Sequence, residues 1–234
     1  MFWTTAIYKA TPEIGRIAHR FFERLIPYLS KPEDVNRWQE TDFDNFKFII
    51  HELYLYVISC FIKHERFETA AYLMGEYYVP GQSDYGRNVM VPPGVFRNYL
   101  ETLQQRKNRL KLNRQSLHAD LLKERCKGTV IDFSTLMQTD FVLYVRSQLS
   151  SDDAWWPETL LYADRFSAAF EVFARSKSGA YFERAKTILG IRSKEDLAPL
   201  IEAFKSNRRN APTWGFYSVK VPTLLGFDQL GTSP

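Results

Sequence analysis

The sequence predicts a mainly α-helical fold: a multi-helix bundle built around an αα-hairpin, with at most a minor β element near the C-terminus. Three observations predict it. Apolar residues recur at three- and four-residue spacing along most of the chain, the breaks between these runs carry helix-start and helix-stop residues, and only the C-terminal stretch changes period.

Thr11, Pro12 and Glu13 start the first helix, with a hydroxyl for the free amides, a proline that loses no bond at the first position, and an acid at the positive end. Its Ile14, Ile17, Phe21, Leu25 and Tyr28 form one stripe, expected to face the core. Lys31, Pro32, Glu33 and Asp34 offer a second start. Thr41 with Asp44 resembles a capping box and opens an apolar run to Ile62, whose Phe46, Ile49, Ile50, Leu53, Val57, Cys60 and Phe61 cover nearly every side. Such a helix sits centrally. Lys47, His51 and Glu52 argue against a membrane span, since a central charge costs about 2.5 to 3.5 kcal/mol on insertion scales. Beyond the polar break at His64 and Glu65, Phe67, Ala70, Ala71, Leu73, Met74 and Tyr77 resume the pattern and complete an αα-hairpin.

Glycine and proline cluster over residues 80–94, which reads as an extended loop of about 15 residues and as the place to divide the chain. The division predicts an N-terminal helical subdomain (1–80), a Pro/Gly loop (81–94), a second helical subdomain carrying a basic helix (95–205), and an extended aromatic tail (206–234). Helical patterns cover 95–127, Phe133–Leu149, 157–174 and 179–189, the last stopped by Gly190. Ser193 with Asp196 starts another, to Phe204. In the tail Trp214, Phe216, Val219 and Val221 suggest one short strand, for which 129–133 is the other β-like run; alternatively the tail's aromatics pack on the helical body or on another chain.

Composition bounds the function classes. The 234 residues are 45% hydrophobic, 25% charged and 15% aromatic, the balance of a soluble globular protein with a real core. Two cysteines make no disulfide framework, and four histidines without a Cys/His cluster lack zinc spacing, so no metal and no cofactor is predicted. Met1, Phe2, Trp3, Thr4 and Thr5 lack a basic segment ahead of an apolar one, and the expectation is a cytoplasmic protein without a membrane partner. The net charge of +4 is mild, but its distribution is local. Arg106, Lys107, Arg109, Lys111, Arg114, Lys123, Arg125 and Lys127 face only Asp120 and Glu124 over residues 104–127.

Three constellations carry candidate chemistry. Lys111, Arg114, His118 and Arg125 fall on one side of a continuous helix, a row for phosphates, with a solvated face of intrahelical pairs as the bland alternative. Cations flanking His118 favour its neutral, proton-accepting form, so a catalytic reading makes His118 the base, Arg114 the charge stabiliser, and Asp120 or Glu124 an orienting or metal-holding group. The second constellation is Arg175, Lys177 and Ser178 ahead of a helix start, with Arg184 nearby: an anion site, or an ordinary junction capped by a serine. The third is aromatic. Trp155, Trp156, Tyr162, Phe166, Phe170, Phe173, Tyr181 and Phe182 suit base stacking, yet Tyr162, Phe166, Phe170 and Phe173 have the spacing of a core stripe. His51 reads as a satisfied core histidine and His19 with Glu23 as a surface pair.

Residues 111–125 (KLNRQSLHADLLKER), 155–163 (WWPETLLYA) and 170–186 (FEVFARSKSGAYFERAK) together resemble a helical region of uncharacterised bacterial proteins. In some of these the region accompanies TIR-type signalling or effector modules associated with defence. The resemblance spans roughly residues 44–204, implies a sensor, adaptor or oligomerising role, and transfers no catalytic residue. No TIR-like alternation of strands and helices is present in the sequence.

The expected function is therefore a regulatory, sensor or adaptor domain that binds an anionic ligand, a nucleotide or nucleic-acid backbone, or a protein partner or a second copy of itself through the aromatic tail. A phosphodiesterase or nuclease using His118, and a purely structural interaction protein, are the alternatives. The first reading expects Arg114, His118 and Arg175 to converge on one cleft.

Overall fold

The computed structural model describes residues 12–31, 35–80, 89–150, 154–165 and 168–234. The fold is mainly α, with two small two-stranded sheets among the described residues. The capping residue Thr11, the second helix start at 32–34 and residues 81–88 of the Pro/Gly loop lie outside them.

Helix α1 (Pro12–Leu25) passes into a 3-10 turn, Ile26–Leu29. It buries Gly15, Ala18, His19 and Phe22, continued by Ile26 and Leu29, while Ile17 and Tyr28 are each 55% exposed. The expected stripe is thus displaced by one residue, about 100° around the helix. Small residues explain the displacement: a Cβ on Gly15 would stand 3.0 Å from Thr69 Cγ2, so α1 approaches its neighbour on its smallest face. His19 is correspondingly not a surface residue. Its ring stacks on Tyr77 at 4.2 Å and its Nε2 contacts the Glu76 carbonyl at 3.0 Å.

Helix α2 (Asp44–Lys63) is entered through a 3-10 turn, Glu40–Phe43, and the capping box is formed by Gln39 and Asp42 rather than by Thr41 and Asp44. Segment Glu40–Lys63 is long and apolar enough to cross a membrane; here 56% of its most apolar window is buried in the bundle. Its main partner is α6 (Phe133–Leu149), to which Ser59 Oγ donates a hydrogen bond at Thr139 Oγ1, 2.8 Å away. Helix α3 (Phe67–Leu73) completes the αα-hairpin after Glu65, whose φ of +55° makes the turn.

The ends of the Pro/Gly segment are paired. Strand β1 (Tyr77–Val79) runs antiparallel to β2 (Val89–Val91), with Tyr77 opposite Val91. Beyond them Phe96 packs its ring 4.6 Å from Tyr54 and 4.8 Å from Tyr77, so the hydrophobic core is continuous across this segment.

The predicted helix over 95–127 is two helices, α4 (Glu101–Arg109) and α5 (Leu117–Arg125). Lys111 at φ +49° ends the first, and Ser116 caps the second by accepting from the Ala119 amide at 3.0 Å. Residues 129–133 form no strand; Asp132 instead caps α6, accepting from Thr135 at 2.9 Å. The pattern over 157–174 resolves into a 3-10 segment, Glu158–Arg165, and α7 (Glu171–Arg175), so the aromatic stripe does not share one helix; Phe166 is outside the described residues.

Helix α8 (Gly179–Ala185) and the turn Lys186–Leu189 stop at Gly190, φ +70°, as the sequence predicts. A 3-10 turn, Lys194–Leu197, leads into α9 (Ala198–Lys205). In the tail, β3 (Thr213–Trp214) pairs with its own neighbour β4 (Tyr217–Ser218), not with 129–133, before α10 (Val221–Leu225). The tail packs on the helical body: Val219, Val221, Leu224, Leu225 and Leu230 are buried, and only Phe216 of its aromatics projects fully.

Candidate functional site

A cleft of about 750 Å³ opens between α4, the start of α5, the end of α6 and the tail hairpin. Helix α4 carries Gln104 and Lys107 on its wall. No side chain of its own caps this helix. The cap comes from α2: buried Asp44 accepts from the Thr102 amide at 2.7 Å.

The opposite wall is tied by a buried ion pair. Arg97 donates through Nη2 to Glu158 and through Nε to the Trp156 carbonyl at 2.9 Å. The other carboxylate oxygen of Glu158 accepts from the Ser116 hydroxyl, which links this pair to the cap of α5. Charge is therefore already balanced on this side.

Trp155 is fixed from below. Its indole N–H donates to Asp140 at 2.7 Å, and the other oxygen of Asp140 accepts from the Thr159 amide at 2.8 Å and hydroxyl at 2.7 Å. Burial pushes the Asp140 carboxyl up to about 6 in spite of these donors. Trp156 is 44% exposed, and Trp214 lies 5.3 Å from it, ring centre to ring centre, at 57°. Gln148 from α6 completes the polar lining, its carbonyl oxygen Oε1 accepting from Arg209 at 2.8 Å.

His118 borders the cleft, and behind it His51 Nδ1 lies 2.9 Å from His118 Nε2. Burial, then the Arg97 charge, lowers the His118 imidazole well below its ordinary range. Burial, His118 and Arg97 do the same to His51. The neutral form is favoured as the sequence predicts, but by desolvation and Arg97 rather than by the flanking cations. His51 is not a fully satisfied core histidine: its Nε2 has no hydrogen-bond partner among the described residues.

The other candidates are dispersed. Because the chain turns at Lys111, the four-residue row Lys111, Arg114, His118 and Arg125 does not exist as one face. Lys111 is exposed. Arg114 holds Asp120 in a two-pronged pair at 2.6 and 2.7 Å and reaches the Tyr162 hydroxyl at 3.3 Å. Glu124 pairs with Lys127 at 2.6 Å and Arg125 with Glu52 at 2.5 Å. Asp120 is two residues from His118 on α5 and points away from the cleft that His118 borders. No group of three or more His, Cys, Asp and Glu side chains suited to a metal is present among the described residues.

Arg175 and Arg184 converge, but on Glu65, at 2.6 and 2.8 Å, and both lie over the Tyr181 ring. Burial raises the Glu65 carboxyl, and the hydrogen bonds from Arg184 and Arg175 outweigh it and hold it below the ordinary value. Lys177 is exposed. Ser178 caps α8 at 3.5 Å from the Tyr181 amide, and the Gly179 amide donates to the Ser233 carbonyl at 2.7 Å, so the amides expected to receive an anion are in use. Arg114, His118 and Arg175 therefore stand in three places.

Sequence reasoning did not single out Arg97, Glu158, Gln104 or Gln148. Asp140 had a visible signal, a lone acid in the apolar run of α6. In comparisons with known proteins, no family model, no curated protein and no solved structure matches the chain.

Proposed function

We propose that this chain is a regulatory, ligand-binding helical domain whose ligand is a nucleotide held in the cleft beside Trp156. The observation that supports it is the lining. Trp156 and Trp214 offer ring faces, on which a base stacks with about 1 to 3 kcal/mol. The amides of Gln104, Gln115 and Gln148 line the cleft with donor and acceptor groups of the kind that meet base edges, Gln148 Oε1 already accepting from Arg209 and Gln104 Nε2 donating to Asn108. Lys107 supplies an ammonium anchored at 3.1 Å on the Gln115 carbonyl rather than on a carboxylate, a place for a phosphate. The volume, about 750 Å³, is that of small-molecule sites. In this reading the domain is the sensing part of a larger bacterial, cytoplasmic system, and the projecting Phe216 marks where the tail meets a protein partner.

A second reading, phosphodiester hydrolysis with His118 as base, is favoured by the neutral imidazole at the cleft border. Against it, His118 Nε2 is turned to His51, and Arg114, Asp120 and Glu124 are on other surfaces. Calorimetric titration with the four ribonucleoside monophosphates and short oligonucleotides at low ionic strength decides the first reading: saturable binding of at least one is expected, and absence of binding by all of them overturns it. Product formation from a phosphodiester panel, lost in His118→Ala at unchanged folding, would replace it with the second.

A further inference from the structure

The surface beside Trp214 holds a second cleft, of about 530 Å³, that the nucleotide reading leaves unused. Trp214 and Gln115 belong to both linings. They are common to the two clefts, and the tail turn packs on one of them: Gly215 at φ +60° brings its backbone so close that an added Cβ would stand 3.3 Å from Gln115 Nε2.

The second cleft repeats the chemistry of the first. Tyr162 and Phe133 meet edge to face at 5.5 Å, and the Lys123 ammonium stands 3.8 Å from the Tyr162 ring centre. Aromatic rings and a cation are again together, with the ammonium lying over the Tyr162 ring. Cations also flank Gln115. Lys107 is anchored on the carbonyl of Gln115 on the first side. Arg114, the residue before Gln115, is fixed on the second side by Asp120 and Tyr162. Two aromatic-lined clefts with the Lys107 ammonium and the Asp120-paired Arg114 between them fit a ligand made of two planar bases and one bridging anion, the anion taking the place of Asp120 on Arg114.

We propose that the ligand is a dinucleotide, two bases joined by a phosphodiester, with one base beside Trp156, the bridging phosphate at Lys107 and Arg114, and the second base against Tyr162. This rests on the nucleotide reading of the first cleft and names its ligand more narrowly. It also gives a use to Arg114, whose pairing with Asp120 removes it from the first cleft. A mononucleotide fills half of such a site, so the second base adds affinity at no further cost in overall rotation and translation.

The test is calorimetry on the full chain with the four ribonucleoside monophosphates and the linear 5′-phosphorylated dinucleotides built from them. The expected result is at least tenfold tighter binding of a dinucleotide than of its better-bound mononucleotide half, a ratio that falls toward one in Tyr162→Ala and in Lys123→Gln. Lys123 is exposed, so the second variant keeps the test open where the first fails to fold. Equal affinity for mono- and dinucleotides overturns the two-cleft ligand and leaves the nucleotide reading standing. A tenfold ratio that persists in both variants places the second base elsewhere and overturns it too. Failure of all ligands to bind removes the nucleotide reading itself, and the dinucleotide with it.

Discussion

His51 Nδ1 and His118 Nε2 face each other at 2.9 Å across the packing of α2 on α5, although 67 residues separate them in the chain. One hydrogen is shared between two ring nitrogens. An orphaned N–H costs more than an orphaned lone pair, and among the described residues His51 Nε2 is the orphan. The favoured arrangement has His51 donating its Nδ1 hydrogen to His118, which then carries its own on Nδ1.

This pair predicts acid sensitivity. Both imidazoles bind a proton less readily folded than at the ordinary value of 6.5. Below about pH 6.5 the unfolded chain therefore takes up more protons, and stability falls with pH by up to about 1.4 kcal/mol per histidine per unit. Above it the contribution is complete. Asp140 acts oppositely, because its carboxyl at about 6 is protonated first in the folded state. It offsets part of the loss between about pH 4 and 6. Urea unfolding from pH 5 to 8, followed by circular dichroism, measures the slope; a flat profile between pH 5.5 and 6.5 contradicts it.

Asp44 predicts a stability effect that crosses helices. Asp44→Ala removes the side-chain cap of α4 and is expected to cost about 1 to 2 kcal/mol. Asp44→Asn keeps an acceptor and should cost less. Since Gln104 and Lys107 ride on α4, Asp44→Ala is also expected to weaken ligand binding. Denaturation midpoints of the two variants, in that order, check the argument.

The Arg97–Glu158 pair, 8% and 11% exposed, predicts non-additivity. Glu158→Ala leaves a buried guanidinium without its counterion, a loss of about 3 to 5 kcal/mol. Replacing both residues by apolar ones of similar size is expected to recover most of it. A double-mutant cycle by urea denaturation in which the double variant is as unstable as the two singles combined would contradict this account.

Trp156 and Lys107 predict separable effects on the ligand. Trp156→Ala is expected to weaken nucleotide binding by about 5- to 150-fold, the equivalent of about 1 to 3 kcal/mol of stacking. Lys107→Ala is expected to erase the difference between a nucleotide and its nucleoside. Dissociation constants for the four combinations measure both; an unaltered nucleotide preference in Lys107→Ala takes the phosphate away from that residue.

Local patterns were legible in the sequence and distant pairings were not. Helix α6 starts and ends where its apolar period does, and Gly190 stops its helix because only a left-handed residue fits there. The basic row failed because periodicity cannot see a turn at Lys111, a non-glycine residue at φ +49°. The α1 stripe failed because small residues, which carry little hydrophobic weight, allow the closest contact. The cleft draws Arg97, His118, Trp156 and Trp214 from separate segments. No spacing rule joins them. Trp155 and Trp156 were recognisable as an aromatic pair, but their division of labour, one bonded to Asp140 and one open, depends on the fold.

The placement of the tryptophans gives the protein a built-in optical reporter. Of its five indoles, three, Trp155, Trp156 and Trp214, border the same hollow. Trp155 is enclosed and is expected to emit to the blue, whereas the half-open Trp156, like the exposed Trp38 outside the cleft, is expected to emit closer to the water-exposed limit. Anything that enters and stacks there dims the red edge of the emission spectrum before it touches the blue, so occupancy can be followed without attaching a dye.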